Sequence, residues 1–265
     1  MGILKNRFLI AFVLLFALPV ATVTGNNSTK NPAPAGMVKI PGGQYSMFFE
    51  NKAGKTMKVK PFYLDTRAVT NAEYLEFVKA NPKWSKSKIS KLFADAGYLK
   101  HWKGDYNIGD AKINHSPVTN VSWYAANAYS KWKNKRLPTL SEWEFVGNTP
   151  LVNDKRPVEK VILDWYSKPT PATLPVVGST FKNKLNVFDM HGLIWEWVYD
   201  FNSVVMNSDS RSNSAIQRDL FCASGSFGAA NKEDYAAFMR FAFRGSLKAK
   251  YTVSNLGFRC ALDFN

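Results

Sequence analysis

The sequence predicts a mixed α+β fold with few helices, many short strands and little regular secondary structure. A few short stretches combine the 3.6-residue apolar period with helix-capping signals. Other short stretches alternate between apolar and polar residues or are rich in β-branched and aromatic residues. Long segments rich in Lys, Gly and Asp separate them, and no internal repeat is visible. These observations favour one domain of short elements joined by long loops.

The helix predictions rest on capping residues. Thr70 with Glu73 and Thr139 with Glu142 are spaced as capping boxes, in which each end of the pair satisfies a free backbone N–H group. Ser122 precedes a further apolar stretch and is a suitable N-cap. The predicted helices span residues 71–79, 123–134 and 139–146.

The strand predictions rest on shorter patterns. The turn Pro41-Gly42-Gly43 is expected to join two strands of a hairpin within Met37–Met47. Phe241 and Phe243 alternate with arginines, which predicts a strand that holds Arg240 and Arg244 on one face. Further strand candidates are residues 59–64, 221–227 and 256–262. An irregular excursion is predicted over residues 81–117, with a short helical piece near residues 87–96.

The amino-terminal segment predicts export. Lys5 and Arg7 precede an apolar run over residues 8–20, and small residues follow it. This pattern is typical of a cleavable signal peptide, predicted over residues 1–25. The run is short for a membrane-crossing helix, which makes a retained anchor the alternative. The sequence therefore predicts a flexible tether over residues 26–35, a single domain over residues 36–265, and a periplasmic or extracellular location without a transmembrane span after cleavage.

The charge balance points to anionic partners. The chain has 35 Lys and Arg against 20 Asp and Glu, which gives a net charge of +15. Such an excess favours a protein or an anionic envelope component as partner. The basic residues follow one another without an evident groove of stacking aromatic residues. Nucleic-acid binding is therefore not expected.

The chain has two cysteines, Cys222 and Cys260. In an exported protein such a pair favours a structural disulfide. The bond would close a loop of about 38 residues and stabilise the fold by about 4 kcal/mol in a chain-entropy treatment. A metal-binding or redox dithiol is the alternative, and it would normally need closer spacing or a third ligand.

Seven short motifs follow one another over residues 36–263, and the last is Ser254–Cys260. The others are Met37–Gly43, Val69–Tyr74, Pro117–Trp123, Lys135–Thr139 with Glu142–Glu144, Asp189–Gly192 with Trp195–Trp197, and Gly225–Phe227. In content and order these motifs resemble the sulfatase-modifying-factor family, which contains the formylglycine-generating enzymes. The resemblance implies a formylglycine-generating-enzyme fold, which is related to C-type lectins.

The family's founding activity is implied but its copper ligands are missing. The resemblance implies oxidation of a sulfatase cysteine to formylglycine with copper(I), a soft ion that two cysteine thiolates hold. The corresponding positions fall near Asn231 and Ala236, and no cysteine lies between Cys222 and Cys260. Copper is therefore not expected as a cofactor.

The resemblance brings two further metals into question, iron and calcium. Iron-dependent relatives use three histidines, but His101, His115 and His191 are expected to be core or loop residues. The resemblance also implies one structural calcium, held by carbonyls of Gly192 and Ile194 and by the Glu196 carboxylate. In the alternative interpretation, Glu196 pairs with an arginine such as Arg259.

The resemblance also implies a set of residues around the family's pocket. Arginines among aromatic residues suit a carboxylate, phosphate or carbonyl ligand, although they can equally be framework residues. Two functions follow: a catalytically inactive binding or assembly module in the cell envelope, or a metal-dependent oxidoreductase or maturation factor for an exported protein. The pocket candidates are Trp195, Trp197, Ser226, Arg240, Arg244, Asn255 and Arg259.

Overall fold

The computed structural model describes residues 32–46, 56–202 and 232–264. All but the first of these residues belong to one compact unit, Ala33–Asn265. The predicted signal peptide lies outside the described residues, as do the strand candidate at 221–227 and two candidate positions, Ser226 and Asn231. The described part has short strands and short helices, in agreement with the predicted low content of regular structure.

The strands form small sheets. Within the described residues, β1 (Met37–Ile40), β4 (Phe62–Asp65) and β7 (Ala261–Asp263) form an antiparallel sheet with β4 in the centre. β2 (Gly43–Ser46) pairs with β3 (Thr56–Val59), and β5 (Trp195–Glu196) pairs in parallel with β6 (Leu256–Gly257). The predicted hairpin within residues 37–47 is therefore wrong, because β1 and β2 pair with different strands.

Steric contacts at Gly42 explain why these two strands separate. Gly42 has a positive φ of 72°, and a Cβ atom there would lie 2.5 Å from the Val59 carbonyl oxygen. The chain therefore turns tightly against the link between β3 and β4. Pro61 lies in that link and has no N–H group for a strand ladder, so the strand predicted over residues 59–64 is two strands instead.

The three predicted helices are confirmed. They are α1 (Asn71–Ala80), α2 (Trp123–Trp132) and α3 (Leu140–Gly147). Both capping boxes form, with Thr70 and Thr139 each accepting from the backbone N–H of the glutamate three residues later. Two further helices, α4 (Val158–Tyr166) and α5 (Lys232–Ser246), were not predicted. No helix in the described part is both long and apolar enough to span a membrane.

The N-cap of α3 offers a test of its energetic role. Replacement of Thr139 by Ala removes the acceptor for the Glu142 N–H and is expected to lower the free energy of unfolding by about 1 kcal/mol. Urea denaturation followed by circular dichroism measures the change. The exposed Thr173 makes no hydrogen bond to another described residue, so Thr173→Ala is the matched control and should leave the midpoint unchanged. Equal effects of the two changes would contradict a capping role.

The excursion over residues 81–117 contains no helix near residues 87–96, contrary to the prediction. Its regular pieces are two short 3-10 turns, Pro82–Trp84 and Ala111–Ile113. Distant residues take the backbone N–H groups that a helix would need: Ser87 donates to the Asp105 carboxylate, and Asp95 donates to the Lys250 carbonyl. Tertiary hydrogen bonds therefore replace helical ones here.

A buried asparagine ties this excursion to α1. The Asn71 amide nitrogen donates to the carbonyls of Ile113 and Ser116, at 3.0 and 3.1 Å. Its oxygen lies 2.9 Å from Trp102 Nε1 and 3.0 Å from His101 Nε2. This fully used amide fixes the loop against the core, and His101 serves there as a structural hydrogen-bonding residue.

The main core is aromatic. Tyr74 stacks on Tyr129 at a centroid distance of 5.8 Å, and Phe258 packs edge-on against Tyr129 at 5.2 Å. Tyr74 and Phe258 are at most 1% exposed. Residues near the carboxyl terminus thus complete a core built by α1 and α2.

Candidate functional site

Helices α3 and α5 meet at a buried cluster of charges. Glu144 lies on α3, and its carboxylate contacts Arg240 at 2.9 Å and Arg244 at 2.6 Å, both from α5. All three side chains are at most 4% exposed. One carboxylate faces two guanidinium groups, so these three residues together carry a net positive charge. Burial without compensation would be costly for each of them.

The strand predicted over residues 240–244 is wrong, because this segment belongs to α5. The alternation of Phe and Arg suggested a strand, but residues four apart also share a face of a helix. Ala236, Arg240 and Arg244 have this spacing, and all three are buried. Ala236 packs with Val158 and Ile162 of α4, which accounts for the contact between the two helices.

Two buried polar atoms at this cluster have no hydrogen-bond partner among the described residues. They are His191 Nδ1 and Arg244 Nε. The hydroxyl groups of Tyr45 and Tyr166 are also buried, and they interact with Ser141 and Arg240, respectively. Buried polar atoms without a partner are rare in native proteins.

Burial and the cluster's charges shift the pKa values of these groups. Burial raises the pKa of Tyr45 to about 12 and lowers that of His191 to about 3, where Arg240 adds to the effect. His191 Nε2 lies 2.9 Å from the Gly147 carbonyl and donates to it, and the lowered pKa keeps the imidazole neutral near pH 7. Burial opposes ionisation of Glu144, but Arg240 and Arg244 outweigh it and hold the pKa of this carboxyl at about 2.

A second buried ion pair adjoins the first. Arg259 contacts Glu196 at 2.8 Å, and both side chains are fully buried. Trp143 links the two sets: its Nε1 donates to Glu196 Oε2 at 2.8 Å, and its ring lies 4.5 Å below the Arg244 guanidinium. The arginines and glutamates thus form one continuous network through Trp143.

This network bears on the predicted calcium site. Arg259 contacts both carboxylate oxygens of Glu196, and the indole of Trp143 takes a further position on one of them. A guanidinium therefore occupies the place where a cation would bind the carboxylate. The arrangement does not fit a calcium ion held with Gly192 and Ile194, and it favours the alternative pairing of Glu196 with Arg259.

The remaining pocket candidates lie at the edge of the same region. Trp195 stacks on Tyr166 of α4 at 4.9 Å with an interplanar angle of 19°, and contacts Phe243 of α5 at 4.2 Å. The Asn255 carbonyl accepts from the Trp195 N–H at 2.8 Å, and its amide donates to Thr170. Trp195, Arg240 and Arg244 therefore lie on or against α5. Asn255 is linked to it through Trp195, and Arg259 through Glu196 and Trp143.

Similarity to known proteins shows the family of this chain. A profile described as "Sulfatase-modifying factor enzyme 1-like domain" matches residues 22–264. The chain belongs to this sulfatase-modifying factor family. A Streptomyces coelicolor relative named formylglycine-generating enzyme is 27% identical over 92% of this chain and 95% of its own length.

Other similar proteins in the family differ in their names. A Bos taurus relative named "Inactive C-alpha-formylglycine-generating enzyme 2" is 26% identical over 89% of each chain. The solved structure of PvdO from Pseudomonas aeruginosa is 19% identical and aligns with a TM-score of 0.48, covering 86% of this chain and 94% of that one. Family membership establishes the predicted fold class.

The thiol of Cys260 is enclosed in this family member. Cys260 is 0% exposed, and its Sγ atom lies 3.3 Å from Ser130 Oγ. Burial raises the pKa of this thiol well above its ordinary value. Cys260 has no disulfide partner among the described residues, and Cys222 lies outside them. The disulfide between them stays a prediction.

Alkylation would report the state of Cys260 directly. We expect iodoacetamide to leave Cys260 unmodified in the native protein, because the thiol is both buried and protonated. Peptide mass spectrometry after labelling in denaturant, with and without reductant, completes the experiment. Labelling without reductant would identify a free thiol, and labelling only after reduction would identify the disulfide. Rapid modification of the native protein would contradict the enclosed position.

The sequence did not identify Glu144, Trp143 and Tyr166 as site residues. Glu144 lies on a short helix whose other buried residues are apolar. A charged residue on this apolar face was the one signal in the sequence that could have indicated a buried ion pair. Tyr166 was missed because α4 was missed, although Val158, Val161 and Ile162 have helical spacing. Among the described residues, no group of three His, Cys, Asp or Glu side chains is placed to hold a metal ion.

Proposed function

We propose that this chain is an exported binding or assembly module of the sulfatase-modifying factor family, without copper-dependent formylglycine activity. The observation that carries this proposal is the position of Cys260. Copper(I) chemistry of the founding enzymes needs two accessible thiolates, and the chain has two cysteines in total. Because Cys260 is in the core, the chain cannot supply both ligands without opening the fold.

The pocket residues support the same proposal. Arg240, Arg244 and Arg259 direct their guanidinium groups to internal glutamates, which is a framework role. Ala236 stands near one family cysteine position and packs against α4. The Bos taurus relative that is named inactive offers a precedent for loss of the activity within the family.

A conversion assay tests the loss of activity. The full chain would be loaded with copper(I) and incubated in oxygen with a cysteine peptide of sulfatase type, with an active family enzyme as positive control. We expect no aldehyde product by mass spectrometry. Formation of formylglycine at a rate near that of the control would overturn the proposal.

Metal analysis tests the alternative, a metal-dependent oxidoreductase or maturation factor. The protein would be purified without chelators and its metals quantified by mass spectrometry. Copper or iron near one per chain would support the alternative and contradict a binding module. Calcium near one per chain would require Glu196 to be released from Arg259, and would restore the expected calcium site.

A further inference from the structure

A concave surface beside α2 carries exposed lysines and aromatic residues, unlike the buried network of ion pairs. It is a groove of about 360 Å³ between the segment 83–93 and one face of α2. Tyr124, Asn127, Ala128 and Lys131 of α2 line it with the i, i+3, i+4 and i+7 spacing of a helix face. We call it the lysine groove, because Lys83 and Lys88 line it together with Lys131.

The lysine groove has an excess of positive charge, with Asp105 close enough to Lys88 to interact with it electrostatically. Nine described residues line it, and none of them is acidic. In the described part of the chain, Lys83, Lys88 and Lys131 take part in no salt bridge, whereas the nearby Lys133 pairs with Glu76. Lys86, which does not line the groove, has its ammonium group engaged by the carbonyls of Lys100 and Trp102. Three exposed ammonium groups therefore surround one cleft.

The apolar part of the groove is preformed. Phe93 contacts Trp84 at 5.7 Å and Tyr124 edge-on at 5.4 Å. Trp84 is buried, while Phe93 is 43% and Tyr124 36% exposed. The sequence predicted no groove of stacking aromatic residues among the basic ones, and the partner expected from that pattern stays a prediction. Aromatic side chains held against one another lose little conformational entropy on binding.

We propose that the lysine groove binds an acidic peptide segment of a protein partner, with an apolar side chain packed against the exposed surfaces of Phe93 and Tyr124. This inference rests on the proposed function and deepens it by naming the surface and the partner class. Lysines around the cleft complement Asp and Glu, while Trp84, Phe93 and Tyr124 bury the apolar residue. The volume lies within the range of about 300–1,000 Å³ typical of ligand clefts.

The groove fits this partner better than other anions. Besides the hydroxyl of Tyr124 and the indole N–H of Trp84, the neutral polar side chains among the nine described lining residues are Ser90 and Asn127. None of the nine offers a carboxylate to accept hydrogen bonds from the hydroxyls of a saccharide. Phe93 packs between Trp84 and Tyr124, so the rings present edges and partial faces rather than open platforms for stacked bases. A membrane surface would not fill a concave cleft.

Fluorescence anisotropy with matched variants tests the proposal. The probe is a labelled twelve-residue peptide of Asp and Glu with a central Phe-Leu pair, and the control peptide carries Ser-Ser at its centre. The double variant Lys83→Glu with Lys131→Glu is expected to weaken probe binding by at least about tenfold. Lys112→Glu with Lys168→Glu changes the net charge equally at exposed positions elsewhere, and is expected to change binding less than about twofold.

The apolar contact has its own variant. Phe93→Ala is expected to weaken the probe by about tenfold while leaving the affinity for the Ser-Ser peptide nearly unchanged. Thermal unfolding of each variant checks that the fold is retained. Equal losses in the two lysine variants, or no saturable binding of the probe to the unmodified chain, would overturn the inference.

Competition separates this partner from other polyanions. Tighter binding of phosphatidylglycerol vesicles, of oligothymidine or of an acidic polysaccharide through the same lysines would overturn the peptide assignment. The cysteine-peptide conversion assay on the same preparation reports on the proposed function independently. A catalytically active chain with a selective groove would therefore refute the binding-module proposal alone.

Discussion

Replacement of Glu144 by Gln is expected to destabilise the protein by about 3–5 kcal/mol, because it leaves two buried arginines without a counter-charge. Guanidinium or urea denaturation measures the loss. Glu76→Gln is the matched control, since Glu76 pairs with Lys133 at 3.6 Å on the surface and its side chain is 66% exposed. That change should cost less than about 1 kcal/mol. Similar losses in the two variants would refute the importance of the buried cluster.

The same carboxylate predicts a dependence of stability on pH. The folded pKa of Glu144 is about 2, below the value of about 4.3 for an unfolded glutamate. A lowered folded pKa means that the contribution is present above the unfolded pKa and is lost as pH falls toward the folded pKa. The free energy of unfolding should therefore decline between about pH 4.5 and 2. Glu144→Gln should lack this part of the decline, and an unchanged pH profile in the variant would contradict the assignment.

Replacement of Arg259 by Met should have an effect of similar size, about 3–5 kcal/mol, because the fully buried Glu196 loses its counter-charge. The variant also loses hydrogen bonds to the carbonyls of Asp65 and Phe188. Chemical denaturation measures the change. Arg156→Met is the control, since Arg156 pairs with Asp154 and Asp164 on the surface, and little change is expected there. A stable Arg259→Met protein would show that the pair is dispensable.

The fold was predictable from sequence where the signals are local. Thr70 and Thr139 specify helix starts through contacts within three residues, so their capping boxes could be read from the chain alone. Strand pairing was not predictable in this way: Met37–Ile40 selects Phe62–Asp65 rather than the neighbouring Gly43–Ser46. This pairing depends on the close approach of the Gly42 backbone to the Val59 carbonyl, and no local sequence pattern predicts that contact.

The candidate site shows the same division. The family motifs selected Trp195, Arg240, Arg244 and Arg259, and the structure brings them into one region. Their charged partners were mostly missed, because the spacing of Arg240 and Arg244 satisfies a strand face and a helix face equally. The helix is distinguished from the strand by a distant contact: Arg240 pairs with Glu144 of α3, which lies 96 residues earlier in the chain.

The placement of β7 has a consequence for the order of folding. Its residues Ala261–Asp263 pair with Phe62–Leu64, partners made about 200 residues earlier in synthesis. The edge of β4 and the aromatic surface that receives Phe258 therefore stay uncovered until Phe258 and β7 have been synthesised. Such long-range closure slows folding and leaves apolar surface open to aggregation in the meantime. The pairing of β7 with β4 is thus the step that removes this exposed surface.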